Sequence, residues 1–377
     1  MDKHIHIVAF DVPFPPNYGG VIDLYFQLKA LHQIGVKITY HCFYYDGNNP
    51  PSNQLDQFAD TVIYYHRKKN IGKLLLSKLP FIVATRSDKN LLENLLKDDS
   101  PIIFSGLQTC FYLNHSSLKK RTKIVRTHNI EHNYYRGLAN VESNKLKKQY
   151  FLWEAKKLEK YEQELRHAQA ILSIAKMDIL HFEKYAPTFH SPPFFRFKER
   201  SLGFEMKSTY GLFQGNLSVG ENIETVKFIA KYIVPNTKHK IVIAGKDPSE
   251  KIVNIVSQFD NLELISNPEQ EDMNVLIEKA QVNLLFTNQQ TGIKLKLLHA
   301  LAIGKHIIIN SKMDDDGMFK NLCTIEDDPK IILDIFESKM SSMFSEKMFW
   351  DRKEKFLKTF NNELNAIETA RIIASIE

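Results

Sequence analysis

The sequence has only three cysteines in 377 residues, and Cys42, Cys110 and Cys323 lie far apart without paired spacing. Such a set argues against a disulfide framework or a cysteine zinc site and is typical of buried thiols in a reducing compartment. No apolar run approaches the ~20 residues that span a bilayer, and the first residues lack the form of a signal peptide. These absences predict a cytoplasmic globular protein.

Internal repeats, low-complexity segments and nucleic-acid-binding motifs are also missing. The length suits two domains, and 43% hydrophobic with 25% charged residues is typical of a globular chain. Residues 1–205 hold 29 Lys/Arg against 20 Asp/Glu, with the excess in three clusters: Arg67-Lys68-Lys69 with Lys73 and Lys78, Lys119-Lys120-Arg121 with Lys123, and Lys145, Lys147 and Lys148. This basic half suits peripheral contact with an anionic membrane, although ordinary solvated surface explains any single cluster, and no nucleic-acid partner is expected.

The first residues show the pattern of a doubly wound α/β sheet. A buried strand is predicted at His4–Phe10, a Pro/Gly loop at Pro13–Gly20, a helix at Val21–Ile34 and a second strand at Val36–Tyr45. A strand, glycine loop, helix and strand in this order are typical of the start of such a sheet. Further on, apolar spacing predicts one long helix over residues 142–167.

A second α/β series follows a Pro-rich break. We expect an N-terminal Rossmann-like domain over residues 1–190, a linker at about 186–205 and a second domain over 206–345. The helical tail, residues 346–377, is expected to pack back on the first domain. Two such domains predict an inter-domain cleft, which is where ligands prefer to bind.

The segment TGIKLKLLHALAIGKHIIIN, residues 291–310, places Lys294 and Lys296 beside a glycine turn ahead of a helix and a strand. Free N–H groups and the helix dipole attract anions at such junctions. The two lysines therefore indicate a phosphate site, and a solvated pair on an ordinary helix is the alternative.

Four stretches together resemble GT-B glycosyltransferases, nearest to glycosyltransferase family 4 in a divergent, Bacteroidetes-type subfamily. They read PPNYGGVIDLYFQLKALHQIGVKI, VRTHNIEHNYYRGLA, WEAKKLEKYEQELRHAQAILSIAKMD, and GLFQGNLSVGENIETVKFI with TGIKLKLLHALAIGKHIII. The resemblance implies a GT-B fold with two Rossmann-like domains facing a cleft, acceptor on the N-terminal side and donor on the C-terminal side.

The resemblance also implies an activity. It is metal-independent, retaining transfer of a sugar from a nucleotide-sugar, UDP- or GDP-linked, to a saccharide or lipid-linked acceptor in cell-surface polysaccharide or lipopolysaccharide biosynthesis. No resident cofactor is expected, and the protein would work in the cytoplasm or at the inner face of the membrane. The alternatives are a non-catalytic nucleotide- or sugar-binding protein and, less in keeping with the residues present, a nucleotide-sugar epimerase.

In the N-terminal half, the resemblance gives roles to five residues. Gly19 and Gly20 match the family's phosphate-approaching glycine loop, although a strand–helix turn would also need them. His128 matches a histidine that reaches the donor sugar, and a structural histidine is the alternative. Asn129 and Glu131 are candidates for touching the acceptor or orienting His128, and Glu131 suits a helix start equally well.

In the C-terminal half, Gly215 and Asn216 stand where the family has Gly-Arg, and Glu221 and Asn222 stand near its expected lysine. Both expected cations are therefore missing, which leaves donor phosphate binding to Gly215, Asn216, Lys294 and Lys296. The family's paired carboxylates correspond to Thr291 and His299, so the donor sugar and ribose would rely on Thr291, Gly292 and His299. No metal ligand is expected, and Asp314-Asp315-Asp316 reads as a solvated turn.

Overall fold

The computed structural model describes residues 4–16, 18–46, 49–67, 77–142, 144–196, 198–203, 209–288, 292 and 294–376. The chain forms two compact units with one parallel sheet each. The first unit comprises Met1–Arg196, Thr291–Ile293 and Phe360–Glu377, and the second comprises Phe197–Gln290 and Lys294–Thr359. The expectation of two doubly wound α/β domains is confirmed.

The first unit contains a seven-stranded parallel sheet in the described residues, in the order β3-β2-β1-β4-β5-β6-β7. Its strands are β1 His4–Ala9, β2 Lys37–Tyr44, β3 Thr61–His66, β4 Ile102–Ser105, β5 Lys123–Thr127, β6 Ala170–Ser173 and β7 Thr188–His190. The order reverses between β1 and β4, and such a switch point opens a crevice at the carboxyl ends of the strands.

Both faces of this sheet are buried, which is why its strands read as nearly continuous apolar runs. Along β1, Ile5 and Ile7 point into one core, whereas Val8 points into the other. The covering helices are α1 Gly19–Gln33, α2 Phe81–Ala84, α3 Lys89–Leu95, α4 Glu131–Val141, α5 Lys145–Tyr161 and α6 Ile179–Phe182. α1 buries Leu24, Leu28 and Leu31, which follow helical spacing.

The predicted helix over residues 142–167 is wrong in extent. α4 ends at Val141, α5 begins at Lys145, and a separate 3-10 turn covers Glu162–His167. Asn144 separates the two α-helices because its side-chain oxygen accepts from the backbone N–H groups of Leu146 (3.0 Å) and Lys147 (3.2 Å). A capping asparagine of this kind starts a new helix.

The predicted linker over residues 186–205 also needs correction, because its first part is built into the first sheet. β7 pairs with β6, and the Pro187 carbonyl accepts from the Ile171 N–H at 2.9 Å. A proline is tolerated there because β7 is an edge strand of the described sheet and the contact uses only the carbonyl.

The second unit has a six-stranded parallel sheet in its described residues, in the order β10-β9-β8-β11-β12-β13. Its strands are β8 Tyr210–Asn216, β9 Lys240–Lys246, β10 Leu262–Ser266, β11 Val282–Leu285, β12 His306–Ile309 and β13 Thr324–Ile325. The helices are α7 Gly220–Tyr232, α8 Glu250–Val256, α9 Gln270–Lys279, α10 Leu295–Ile303, α11 Pro329–Ser341 and α12 Glu346–Leu357. Here the switch point lies between β8 and β11.

The C-terminal tail, expected as one helix on the first domain, divides between the units. In the second unit, Arg352 of α12 donates to the carbonyls of Gly304 and Lys305. The last helix, α13 (Asn362–Ile376), belongs to the first unit, where Ala366 and Ala370 join the core that contains α1. Among the described helices, none is long and apolar enough to cross a bilayer.

Candidate functional site

The core of the first unit contains a charged pair that joins α1 to β5. Asp23, on the second turn of α1, is 1% exposed, and Arg126 of β5 is fully buried. The guanidinium donates from Nε to Asp23 Oδ2 at 3.0 Å and from Nη2 to Asp23 Oδ1 at 2.8 Å. Two parallel bonds of this kind fix both side chains in orientation.

The other polar atoms of this pair are also satisfied. Arg126 uses its remaining N–H groups on Ser191 O, Ser191 Oγ and Pro192 O, at 2.6 to 3.1 Å. The Phe194 backbone N–H donates to Asp23 Oδ1 at 2.7 Å. Burial would raise the pKa of Asp23, but the Arg126 charge and the hydrogen bonds hold this pKa well below its usual value. Asp23 therefore remains an anion.

His128 directly follows β5 and completes this arrangement. Its Nε2 lies 2.9 Å from Asp23 Oδ2, and the side chain is 8% exposed. Because an ionised carboxylate only accepts hydrogen bonds, Nε2 carries the proton. The opposite ring nitrogen, Nδ1, is buried and has no hydrogen-bond partner among the described residues. In a neutral imidazole this nitrogen is an acceptor, so the site presents one oriented acceptor.

Phe10 packs between the glycine loop and His128. The Phe10 ring meets the His128 ring edge-on, with centroids 5.4 Å apart. A Cβ on Gly20 would stand 2.6 Å from Phe10 Cζ, so packing explains the glycine at this position. Gly19 is the exposed first residue of α1. Tyr18, just before it, donates to Asp11 Oδ2 at 2.6 Å, which places a carboxylate near the start of the helix.

Three further predicted residues lie close to His128. Gly292, which groups with the first unit, has a φ of +69°, and a Cβ there would stand 2.9 Å from the His128 carbonyl and even closer to Asn129 Oδ1. Only glycine fits such a position without strain. Glu131 is buried in the first turn of α4, and burial, followed by the Glu162 charge, raises its pKa to about 7. The carboxylate that bonds His128 is Asp23 rather than Glu131.

In the second unit, the predicted residues gather where β8 ends, at the switch point. Gly215 pairs with Gly245 of β9, and a Cβ on Gly245 would fall 1.7 Å from the Gly215 carbonyl oxygen. A Cβ on Gly215 would meet the Asn222 side chain at about 3 Å. Both glycines thus permit close approach of backbone and side chain in front of α7.

Lys296 of α10 reaches the same loop. Its Nζ donates to Asn222 Oδ1 at 3.0 Å and lies 5.0 Å from the centroid of the Phe213 ring. Asn222 Nδ2 in turn donates to the Asn216 carbonyl at 2.8 Å. The Asn216 side-chain oxygen is engaged locally, because it accepts from the N–H and hydroxyl of Ser218 at 2.9 and 2.7 Å.

The charge balance around Lys296 is less favourable to an anion than two lysines suggest. Burial lowers the pKa of Lys296 to about 8, Glu221 opposes that shift, and Lys294 adds to it. Glu221 accepts a hydrogen bond from the Thr287 hydroxyl, which follows β11. A carboxylate therefore stands near Lys296 and partly balances its charge.

The remaining predicted residues are less defined. His299 is half-buried on α10, and Lys294 is the residue that precedes this helix. Thr291 lies outside the described residues. The expectation of a solvated turn at Asp314-Asp315-Asp316 is wrong for Asp315, which is 3% exposed.

The basic clusters differ in what they do. Arg121 and Lys123 are buried and donate to backbone carbonyls of the first unit, so they are structural. Lys145 and Lys147 are exposed beside Leu146, whose side chain is 83% exposed. Lys68, Lys69 and Lys73 lie outside the described residues.

Asp23 and Arg126 are the main residues that the sequence interpretation missed. A signal was present, since each places a charge at a core position of an apolar element, in VIDLYFQL and KIVRT. Residues of this type are almost never fully buried unless paired. Their partnership joins positions 103 apart in the chain, and local pattern does not contain it.

No protein-family model matches the chain. A Klebsiella pneumoniae protein, an uncharacterised 44.6 kDa protein in the cps region, is 26% identical over 337 residues and aligns with 84% of this chain and 85% of its own. The structure of TarM matches with a TM-score of 0.69 and 10% identity over 99% of both chains. A UDP-forming α,α-trehalose-phosphate synthase from Burkholderia xenovorans, in complex with glucose-6-phosphate, matches with a TM-score of 0.64 and 9% identity over 99% of this chain and 100% of its own. The chain has the GT-B glycosyltransferase fold.

Proposed function

We propose that the protein is a retaining, metal-independent glycosyltransferase. It moves a sugar from a UDP- or GDP-sugar to a saccharide or lipid-linked acceptor in the assembly of a cell-surface polysaccharide. The fold supports this assignment. The relative encoded in a cps region supports a pathway of capsule assembly rather than lipopolysaccharide assembly. The observation that carries the proposal is the oriented, unpartnered Nδ1 of His128.

His128 accepts a hydrogen bond from a hydroxyl of the donor sugar in this proposal. Asp23 and Arg126 fix its tautomer and ring orientation, so little reorganisation is needed when the donor binds. Asn129 and Glu131 then contact the acceptor. The raised pKa of Glu131 supports that role, because a neutral carboxyl donates as well as accepts.

The second unit holds the nucleotide diphosphate in the loop after β8. The amides around Gly215 and Asn216 and the cations Lys294 and Lys296 contact the phosphates, while Thr291, Gly292 and His299 contact the sugar and ribose. Placement at the sheet's switch point and the close-packed glycines support this assignment. Lys296 supplies the charge that the missing arginine and lysine supply in the family.

A lipid-linked acceptor would bring the protein to the inner face of the membrane. The turn between α4 and α5 supports this, because it combines exposed Leu146 and Val141 with Lys145 and Lys147. Apolar side chains among lysines suit an anionic lipid surface.

A non-catalytic role in nucleotide or sugar binding is the second candidate. Glu221 favours it, because a carboxylate near the phosphate site opposes the charge that develops on a leaving diphosphate. Such a protein would bind a nucleotide-sugar without turning it over.

A donor screen separates the candidates. The full chain is heated with UDP-, GDP- and ADP-sugars, and the best binder is then assayed for slow hydrolysis without acceptor. A transferase shows ligand-dependent thermal stabilisation and donor hydrolysis, whereas a binding protein shows stabilisation alone. Conversion between epimers would identify an epimerase, and no stabilisation by any donor would refute the transferase.

A further inference from the structure

A second group of titratable side chains lies in the first unit and shares no residue with the Asp23, Arg126 and His128 arrangement. Glu162, at the start of the 3-10 turn after α5, is 1% exposed. Its Oε2 lies 2.8 Å from His181 Nε2 and 3.4 Å from His132 Nδ1. The three ligand atoms all lie within 4.8 Å of one another. Two imidazoles and a carboxylate therefore converge on one point.

His132 distinguishes this group from an ordinary hydrogen-bonded cluster. The side chain is 5% exposed, and its Nδ1 faces the Glu162 carboxylate without a hydrogen bond to any described residue. A buried nitrogen whose contact to Glu162 is as long as 3.4 Å is poorly satisfied, and a ligand at normal bonding distance would recover free energy. His181 is partly exposed at 19%, which leaves a route for a small ion from solvent.

The neighbours of the group also suit a cation. Glu131, the residue directly before His132 in α4, places a second buried carboxyl group at the start of that helix. The Tyr185 hydroxyl donates to Glu162 Oε2 at 3.0 Å and would orient the carboxylate as an outer partner. Lys184 donates to His181 Nδ1 at 3.3 Å, but its side chain is exposed and can turn away when that nitrogen takes the proton.

A second histidine group in the same unit provides a contrast. His4, His6 and Asp98 have comparable spacing, but their ring nitrogens are all engaged. His6 bonds His41 at 2.9 Å and Asp98 at 3.0 Å, and His4 bonds Ser100 at 2.8 Å and Thr39 at 2.9 Å. Arg121 adds a positive charge 3.5 Å from Asp98. A metal ion there would have to break a complete network.

We propose that His132, Glu162 and His181 bind one zinc ion. Two imidazoles and one carboxylate are a common three-ligand set for Zn²⁺, with a water molecule in the remaining position. The ion would join three segments that are separate along the chain: the start of α4, the turn that follows α5, and helix α6. It would thereby brace the helix that begins three residues after His128. The three proposed ligands are not among the residues proposed for sugar transfer.

The test uses the full-length protein after removal of metal with a chelator. Zinc affinity and stoichiometry are measured by competition with a chromophoric chelator, and Co²⁺ is added as a probe because its visible spectrum reports inner-sphere tetrahedral ligands. We expect one zinc per chain, a rise in melting temperature, and an affinity loss of about 100-fold or more in His132→Ala and in His181→Ala. His167→Ala, an exposed histidine beside Glu164, and His4→Ala serve as controls and should bind as the unmodified protein does.

Melting curves in the presence of chelator show whether each variant still folds. If His132→Ala does not fold, the partly exposed His181→Ala decides the outcome. The proposal is overturned if fewer than one equivalent of zinc binds per chain or if Co²⁺ gives no tetrahedral spectrum. It is also overturned if the two site variants bind zinc as tightly as the controls. An equal loss in His4→Ala would assign the ion to the other group.

Discussion

The two units place charge at their candidate sites in opposite ways. In the first, Asp23 and Arg126 are buried and bonded to each other and to backbone groups, and His128 Nδ1 has no hydrogen bond to any residue that the structure describes. In the second, the Lys296 ammonium donates a hydrogen bond to the Asn222 side chain and lies near the Glu221 carboxylate. The first site is fixed by the fold before any ligand binds, whereas the second has little spare positive charge. The contrast shows that burial among complete partners makes a charge part of the fold, whereas a lysine opposed by a nearby carboxylate carries little excess charge for a ligand.

The largest effect is expected from Asp23→Ala. Removal of this carboxylate leaves the buried Arg126 charge uncompensated, which should lower the free energy of unfolding by about 3–5 kcal/mol. Urea denaturation measures the change. Glu159→Ala is the matched control, because Glu159 pairs with Arg136 at 2.7 Å on the surface and should cost about 1 kcal/mol or less. Similar losses in both variants would show that the first site is not fixed as described.

His128→Ala should reduce turnover while the fold persists. The loss of one hydrogen bond to the sugar, about 1.5 kcal/mol for a strong bond between neutral groups, corresponds to a roughly tenfold drop in kcat/KM. Stability should change far less than in Asp23→Ala, because Asp23 keeps its bonds to Arg126 and Phe194. Activity and melting temperature are measured together, with His115→Ala as control. Unchanged turnover would return His128 to a purely structural role.

Lys296→Ala tests the site in the second unit, where less positive charge is available. The dissociation constant for the best donor should rise about tenfold, because a cation next to the phosphate loop is lost. Lys312→Ala, which changes a lysine beyond β12, should leave the affinity unchanged. Calorimetry measures both. Equal affinities in the two variants would refute the phosphate role of Lys296.

The smallest effect concerns pH. Lys296 has a pKa lowered to about 8, with Glu221 of α7 and the preceding Lys294 as the charges that face it. A lysine is charged below its pKa, so donor affinity should be greatest near pH 7 and fall a few-fold as pH rises from 7 to 9. Lys296→Arg keeps the charge throughout and should remove this dependence. A pH profile that is the same in both proteins would contradict the assignment.

Local pattern predicted the regular elements well. The predicted strands at residues 4–10 and 36–45 and the predicted helix at 21–34 lie within about two residues of β1, β2 and α1. This works because burial on both faces of a parallel sheet leaves apolar runs that turns and glycines interrupt. The short strand β7 was missed because Pro187 and Pro192 are turn signals, and only its edge position makes it tolerable.

The candidate site was only partly predictable. His128 and the loop at Gly215 were recognised from a resemblance to glycosyltransferase motifs, and their roles remain predictions. Asp23 was passed over because its partners, Arg126, His128 and Phe194, lie 103 to 171 positions away. The same limit applies to Glu221, which reads as a helix-start residue until Thr287 and Lys296 are found beside it.

The sequence alone determined two parallel α/β sheets, the glycine turns at their switch points and an uneven distribution of charge. These properties follow from periodicity and composition, which act over a few residues at a time. Only the tertiary structure decided which charges meet: Asp23 with Arg126 and His128, Lys296 with Asn222, and His132 with Glu162 and His181. A buried charge is tolerated only beside a partner, and that partner is brought close by the packing of elements distant in the chain.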